Sequence, residues 1–319
     1  MTSIFRVAFA AASLLALASP SAQAQDFPNR PIRIIAGPGP DIIARLFAPK
    51  FTEALGQPIV VEQRPGAGGI IATQAVVSSP PDGYTVLMPT ASWPVGTALG
   101  TMPFDLSKDL APFALAATAP FVLVVNPGLE AKNLRELIAL AKANPGKLNY
   151  ASSGQGTTPH LAGELFKAMA GVDIVHVPYR DANAAIMAVV SGSVQLMFSV
   201  ASVAKAQVAA GKVRSLAVTT LAPTPVVPDT PTLNETGLPG YEARAWNGFA
   251  LPLGTPAPIL AKLNDAVRRG LDDPALRERL LQTGYDAAPP MTPEEFLRFI
   301  GDDTRKWVKL VKDASIAAK

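Results

Sequence analysis

The sequence predicts an α/β fold of two doubly wound lobes that are joined by two crossings of the chain. Short segments rich in β-branched residues alternate with helical segments, which is typical of largely parallel sheets. The alternation begins again near Phe121, and the chain ends in helices that have no partner strands of their own. Such helices must pack on an existing sheet, so we expect the chain to return to the first lobe. Two crossings form a hinge, and ligands of hinged proteins bind in the cleft.

The first lobe is expected to contain three short parallel strands. They are predicted at 32–36, 59–61 and 85–88, each followed by a loop rich in Gly, Pro or Ser. A helix is predicted at 41–55, with a kink or an early break at Pro49, because proline removes a backbone donor and clashes with the preceding turn. The apolar segment 111–125 contains Pro112, Thr118 and Pro120, which favours strand-sized pieces over one long element.

The second lobe is expected to repeat this alternation. Its predicted strands are 121–125, 148–150, 173–177, 194–198 and 215–219. Its predicted helices are one that ends at Ala143, then 160–170, 183–190 and 202–210. Asn133, with Glu136 three residues later, provides a cap for the first of these helices.

The remaining chain is expected to return to the first lobe. Five prolines within 222–239 predict an extended connection, and 242–250 predicts a strand. Three final helices each have an opening signal: Thr255-Pro256, Asp273-Pro274, and Thr292-Pro293 with Glu295 completing a capping box. We therefore assign 25–122 and 224–319 to the first lobe and 123–223 to the second.

The amino-terminal segment has the three-part layout of a secretory signal. Arg6 supplies positive charge, residues 7–18 are almost entirely apolar, and Ala22-Gln23-Ala24 offers small residues to a signal peptidase. The apolar run is shorter than the ~20 residues that a bilayer requires. We predict cleavage after Ala24 and export to the periplasm.

Composition excludes several classes of protein. The 28 Lys and Arg residues and the 25 Asp and Glu residues are scattered, whereas a nucleic-acid reader needs a concentrated basic stripe. The chain has no cysteine, which removes thiolate zinc sites and cysteine nucleophiles. It has no Gly-x-Ser-x-Gly elbow, Walker A loop or His-Glu-x-x-His motif. We expect no catalysis, no metal and no cofactor.

The segment 150–160 is the most informative part of the chain for function. It follows a strand, opens a helix, and combines glycines with hydroxyls; its candidate ligand contacts are Ser152, Ser153, Gly156, Thr157, Thr158 and His160. Free amides at a helix start carry about half a positive charge, which suits a carboxylate or phosphate. A flexible loop with an ordinary threonine cap is the alternative. His176 alternates within a strand and is interpreted as structural.

Other candidates lie at the ends of neighbouring strands, where such folds bind ligands. These are Gly68, Ser92, Tyr179, Ser199 and Trp246. A tight turn is the alternative for Gly68, and core packing is the alternative for Trp246.

Ten segments of the chain resemble one family, and they occur in that family's order. They are 29–35, 41–45, 55–58, 62–69, 81–85, 144–150, 156–166, 175–179, 216–220 and 237–241. The chain resembles the Bug-type receptors, which are the extracytoplasmic solute-binding subunits of tripartite tricarboxylate transporters. The resemblance implies a type II periplasmic binding fold that closes over a small carboxylate, such as a dicarboxylate, tricarboxylate, amino acid or aromatic acid.

The resemblance also implies how the ligand is held and where it goes. Amides, hydroxyls and waters from both lobes would hold it, and a membrane permease would receive it. The chain departs from the family at 37–40, where the loop is short, and at Ser199-Val200, where relatives commonly have Asp-Asn. Asp181 stands where glycine is frequent. We expect a monomer, because no extended apolar seam is present.

Two alternatives to transport remain open. One is an extracytoplasmic sensor subunit, which would share the fold and act on a signalling partner. The other is an exported hydrolase, which requires a nucleophile and a base within hydrogen-bond reach of each other.

Overall fold

The computed structural model describes residues 27–37, 41–64, 66, 69–314 and 316. The expected signal segment with its cleavage site, residues 38–40 and Gly68 lie outside this part of the chain. Within the described residues, no helix is both long enough and apolar enough to cross a bilayer.

The described chain alternates strands and helices as expected. The strands are β1 Ile32–Ala36, β2 Ile59–Gln63, β3 Thr85–Met88, β4 Leu110–Val125, β5 Asn149–Ser152, β6 Val175–Pro178, β7 Leu196–Val200, β8 Arg214–Val218, β9 Arg244–Pro252 and β10 Asp286–Ala287. The helices are α1 Ile42–Leu55, α2 Ile70–Val77, α3 Ser92–Ala98, α4 Leu134–Ala143, α5 Thr158–Ala170, α6 Ala182–Val190, α7 Ala201–Ala209, α8 Leu233–Thr236, α9 Ala257–Asp272, α10 Pro274–Gln282 and α11 Pro293–Asp313.

The strands form two parallel groups connected by an antiparallel centre. The order is β2-β1-β3-β9-β4-β7-β5-β6, and β8 and β10 also pair with β4. In the first lobe β1 is parallel to β2 and β3, whereas in the second lobe β5 is parallel to β6 and β7. The central strands β4 and β9 are antiparallel. Helices cover both groups, which confirms the two-lobed α/β fold.

Strand β4 is one continuous element of 16 residues, so the prediction that prolines divide it was wrong. Register shifts relative to β9 between Pro112 and Ala114 accommodate the missing amide of Pro112 as a bulge. Pro120 is the last residue paired with β9, and Phe121 is the first paired with β7. One strand therefore carries the chain from the first lobe into the second.

Thr219 connects the two crossings at the hinge. Its side chain is fully buried. The hydroxyl accepts a hydrogen bond from the amide of Phe121 at 2.9 Å and donates one to the carbonyl oxygen of Ala243 at 2.5 Å. Its own amide donates to the Phe121 carbonyl at 3.0 Å. Because Phe121 enters the second lobe and Ala243 leaves it, these bonds hold the two crossings side by side.

Most helix ends follow the predicted signals. Asn133 and Asp273 accept capping bonds, and Thr292 with Glu295 forms the full capping box. The expected early break at Pro49 does not occur, since α1 continues to Leu55. Two further features differ from expectation. Thr255 donates to the Pro252 carbonyl and does not cap α9, and the proline-rich connection contains the unpredicted α8.

The last helix belongs to both lobes. Its amino-terminal half contributes Phe296 and Ile300 to a core cluster of the first lobe. Its carboxyl-terminal half contributes Trp307 and Leu310 to the core of the second lobe, which also contains Phe166 and Phe198. Helix α11 therefore packs on core clusters of both lobes.

We predict that Thr219→Val lowers the free energy of unfolding by about 1–3 kcal/mol. The change removes the hydroxyl and leaves the buried Phe121 amide facing a methyl group. Denaturant unfolding measures the effect, and the matched control is Thr220→Val, whose hydroxyl makes a local bond to the Ala222 carbonyl on a partly exposed side chain. Equal stability of both variants and the wild type would contradict the role of Thr219.

Candidate functional site

The loop between β5 and α5, residues 153–157, is held in shape by its own polar groups; we call it the carboxylate loop, after the ligand that the sequence analysis expects there. The Ser152 hydroxyl donates to the Gly154 carbonyl at 2.9 Å and accepts from the Gly154 amide at 3.2 Å. The Thr157 hydroxyl donates to the same carbonyl at 2.7 Å. These short-range bonds form a compact turn at the start of α5.

Positive backbone angles in this loop leave several amides open. Gly154 has a φ of 125° and Gly156 a φ of 73°, a region that favours glycine. Across the part of the chain that the structure describes, the amides of Ser153, Gln155 and Thr158 donate to no other residue. Thr157 occupies the N-cap position without capping the helix through its side chain. The start of α5 is therefore an open array of donors that suits an anion.

The carboxylate loop faces the first lobe. A Cβ atom built on Gly156 would lie 3.1 Å from a methyl group of Leu99, directly after α3. Ser92 is the first residue of α3, is partly buried, and donates its amide to the Thr90 hydroxyl at 3.3 Å. The predicted contacts around 152–158 and Ser92 therefore lie on elements that meet between the lobes.

A stacked pair of histidines supports the carboxylate loop from beneath. The rings of His160 and His176 lie 4.1 Å apart, nearly parallel, and Tyr150 stacks on the other side of His176 at 4.9 Å. His160 Nδ1 accepts from the Gly156 amide at 3.1 Å, and His176 Nε2 lies 2.7 Å from the Ser152 hydroxyl oxygen. The interpretation of His176 as structural therefore fits its position, but the structure it supports is the loop itself.

Burial keeps both rings uncharged. Desolvation lowers the pKa of His160 below its ordinary value, although the Glu164 carboxylate opposes the shift. Desolvation, followed by the charge of His160, lowers the pKa of His176 to about 4. Both histidines are therefore neutral near pH 7, and they act as neutral hydrogen-bonding groups.

The side chains of Tyr179, Ser199 and Trp246, which were also predicted as ligand contacts, are partly or fully buried. Tyr179 is half-buried, and its amide donates to the Ser152 carbonyl at 3.0 Å, so its backbone helps to anchor the end of β5. Ser199 is fully buried within the pairing of β7 with β4, and its hydroxyl donates to the next carbonyl. Its side chain has no exposed surface for a ligand in this structure.

Trp246 lies in the core. Its side chain is 1% exposed, its Nε1 donates to Asp303 at 2.9 Å, and its ring contacts Phe296 and Phe299 edge-on. This position favours the core-packing alternative over an aromatic wall for a ligand.

Gly68 lies outside the described residues. Nearby, the chain is close-packed, because a Cβ on Gly37 would collide with the Arg64 carbonyl.

The Ser152 hydroxyl oxygen and His176 Nε2 lie 2.7 Å apart, the distance that a hydrolase would need between a nucleophile and its base. However, Ser152 is completely buried, and its hydroxyl is already bonded to both polar groups of Gly154. The His176 ring stacks on the rings of Tyr150 and His160. The arrangement therefore supports the loop and does not present a nucleophile.

No group of three or more His, Cys, Asp or Glu side chains among the described residues could hold a metal. A cavity of about 760 Å³ lies between α3, the segment 102–109 and α11, and none of the predicted site residues lines it.

The sequence analysis did not predict two contacts of this loop, those with His176 and with Leu99. His176 reaches Ser152 because β5 and β6 are parallel in a register that places Tyr150 opposite His176. The alternation of His176 within its strand was a usable signal only once that register was known. Leu99 was missed because it approaches the loop from the other lobe.

The chain matches a family described as the tripartite tricarboxylate transporter family receptor over residues 43–316. Protein BugT of Bordetella pertussis is 33% identical over 304 residues, which cover 93% of each chain.

Two solved structures are similar along almost their entire length. The R. palustris protein Rpa4515 with adipate has a TM-score of 0.81 and 33% identity, covering 92% of this chain and 99% of its own. MatC (Rpa3494) from Rhodopseudomonas palustris with bound malate has a TM-score of 0.77 and 33% identity, covering 89% and 100%. The relatives thus have the same fold, and these two structures contain dicarboxylates.

We predict that acid destabilises the protein through the two histidines. Burial lowers the pKa of His176 from 6.5 to about 4 and lowers that of His160 as well. In acid the unfolded chain therefore binds more protons than the folded chain. The histidine contribution is therefore fully present above about pH 6.5 and is lost as the pH falls towards 4. Urea unfolding of the wild type and of the double variant His160→Asn/His176→Gln at several pH values isolates this contribution. An equally steep loss of stability in both proteins would contradict it.

Proposed function

Because the chain belongs to the tripartite tricarboxylate transporter receptor family, we propose that it is a periplasmic receptor that captures a small carboxylate and delivers it to a membrane permease. The observation that carries the proposal is the open helix start at α5, where the amides of Ser153, Gln155 and Thr158 have no partner among the described residues. This donor array recognises a carboxylate without a counter-charge on a side chain.

The charged residues around the carboxylate loop support recognition by the backbone. Glu164 is paired with Lys167 at 3.0 Å, and Arg180 is paired with Asp181 at 3.2 Å. On the first lobe, Arg64 is paired with Glu62 at 2.7 Å. Since these cations already have partners, the amides and the partial charge of α5 provide the attraction for the anion.

Closure of the two lobes would complete the site. We propose that they divide near residues 122 and 223, where β4 changes partners and the chain leaves β8. A ligand that contacts the carboxylate loop and the start of α3 together binds the closed form more tightly than the open form. Binding therefore shifts the population towards closure, and the permease would recognise the closed surface.

We propose dicarboxylates as the first ligands to test, because the solved relatives contain adipate and malate. The second carboxylate would reach the first-lobe loops, where Ser92 and Gly68 are the proposed contacts. The sequence departs from the family at 37–40 and at Ser199-Val200, and we expect these departures to alter ligand preference. A sensor subunit would use the same binding event, and a neighbouring sensor kinase gene in place of permease genes would favour that alternative.

We predict that a bound carboxylate raises the melting temperature of ligand-stripped protein. A ligand at one hundred times its Kd that binds only the native state adds about 2.7 kcal/mol. Differential scanning fluorimetry with dicarboxylates, tricarboxylates, amino acids and aromatic acids measures this effect.

The matched variants Gly156→Ala and Gly171→Ala test the location of the site. Both residues have a positive φ, 73° and 62°, at opposite ends of α5, so both variants bear similar backbone strain. Only a Cβ at Gly156 meets a neighbour. We expect Gly156→Ala to weaken binding at least about tenfold, or about 1.4 kcal/mol, while Gly171→Ala still binds. No shift with any ligand, or equal binding by both variants, would contradict the proposal.

We also predict that the mature protein begins at Gln25 in the periplasm. Intact-mass measurement of protein purified from a periplasmic extract tests the expected cleavage after Ala24. Recovery of a chain that starts at Met1 would refute it.

A further inference from the structure

The amide of Gly156 defines the protonation state of His160. A backbone amide is only a donor, and it points at Nδ1 of His160 from 3.1 Å. Nδ1 must therefore be without a proton, which places the proton of the neutral ring on Nε2. His160 is 5% exposed, so water cannot replace this bond easily.

The second histidine fixes the other end of the same loop. His176 Nε2 lies 2.7 Å from the hydroxyl oxygen of Ser152, which is itself bonded to Gly154. The two rings are stacked at 4.1 Å. One histidine pair thus contacts the carboxylate loop both where β5 ends and just before α5 begins.

We propose that His160 and His176 are positioning residues for the carboxylate loop and that proton uptake by this pair loosens the loop and releases the bound carboxylate. The release rests on the proposed function, whereas the positioning does not. A proton on Nδ1 would place a second donor against the Gly156 amide, so the bond between them would be lost. A proton on His176 would place a cation against the neighbouring ring.

The surroundings of the pair contain few other ionisable groups. Tyr150 approaches from β5, and Glu164 with its partner Lys167 comes from α5. From α11, which packs on α5, Lys306 is paired with Asp303 at 2.7 Å. Helix α3 and strand β7 contain no ionisable side chain. Desolvation lowers the pKa of both histidines, so the protonated pair is reached only as the pH falls towards 4.

Protonation has two opposing effects on a bound anion, and the experiment separates them. The added positive charge favours a carboxylate, whereas loss of the Gly156 bond disorders the amides that hold it. We expect the loss of the Gly156 bond to dominate. A charged His160 ring is costly to keep in its buried position, so protonation would move the ring away from the loop.

Titration calorimetry with malate and adipate at pH 7.5 and 4.0 provides the first test, because the pKa of His176 lies near 4. One linked proton changes Kd by up to about tenfold per pH unit. In His160→Asn the amide oxygen replaces Nδ1 as a non-titrating acceptor, so the change in Kd of this variant contains protonation of the ligand but not of His160. We expect the Kd of the wild type to rise at least about fivefold more than that of the variant between the two pH values. An equal or smaller rise in the wild type would overturn the release.

Hydrogen exchange of the ligand-free protein provides the second test and separates the two proposals. After correction for intrinsic rates, protection of the Gly156 amide should fall at least about tenfold between pH 7.5 and 4.0 in the wild type, but not in His160→Asn. Because the chain has only two histidines, NMR can follow each ring directly. Unchanged protection overturns the positioning role, whether or not a ligand binds. Falling protection without any carboxylate binding at pH 7.5 supports positioning and overturns the proposed function.

Discussion

The hinge depends on the buried hydroxyl of Thr219, which bonds to the backbone of both chain crossings. Strand β4 pairs with β9 along residues 110–120, and its last five residues pair with β7 and β8. Because strand pairing is rigid, the proposed closure would have to be absorbed close to Pro120. Thr219 lies at this point and keeps the outgoing strand next to the returning chain. The helix α11 packs on core clusters of both lobes.

The candidate site depends on backbone shape. Positive φ angles at Gly154 and Gly156 turn neighbouring amides away from the helix ladder, and the Thr157 side chain bonds to the loop and leaves the helix start uncapped. A donor array of this kind recognises the geometry of a carboxylate, and it does not require a buried cation that must be desolvated before binding. Specificity can then depend on the distance between the lobes and on the far end of the ligand.

Local signals predicted much of the fold. The strand at 85–88, the cap at Asn133 and the capping box at Thr292 all depend on residues close in sequence, and they occur as predicted. The continuity of β4 could not be predicted, because it depends on a bulge against β9, far away in the chain. The helix α8 was missed although Thr232 and Glu235 form a capping box, since five nearby prolines suggested an extended chain.

The site shows the same division between local and long-range information. The glycines and hydroxyls at 152–158 are contiguous, so their role as a loop before a helix was visible in the sequence. The contact of His176 with Ser152 depends on the register of β5 with β6, and the burial of Trp246 depends on α11. Neither register nor tertiary packing is encoded in a short segment.

A crystal structure of the protein with a bound dicarboxylate tests the central claim most directly. The account predicts closed lobes and a carboxylate oxygen within about 3 Å of the amides of Gln155 and Thr158, with both histidine rings still stacked beneath the loop. A ligand held by side-chain cations elsewhere, for example in the cavity lined by Lys108 and Arg298, would contradict it.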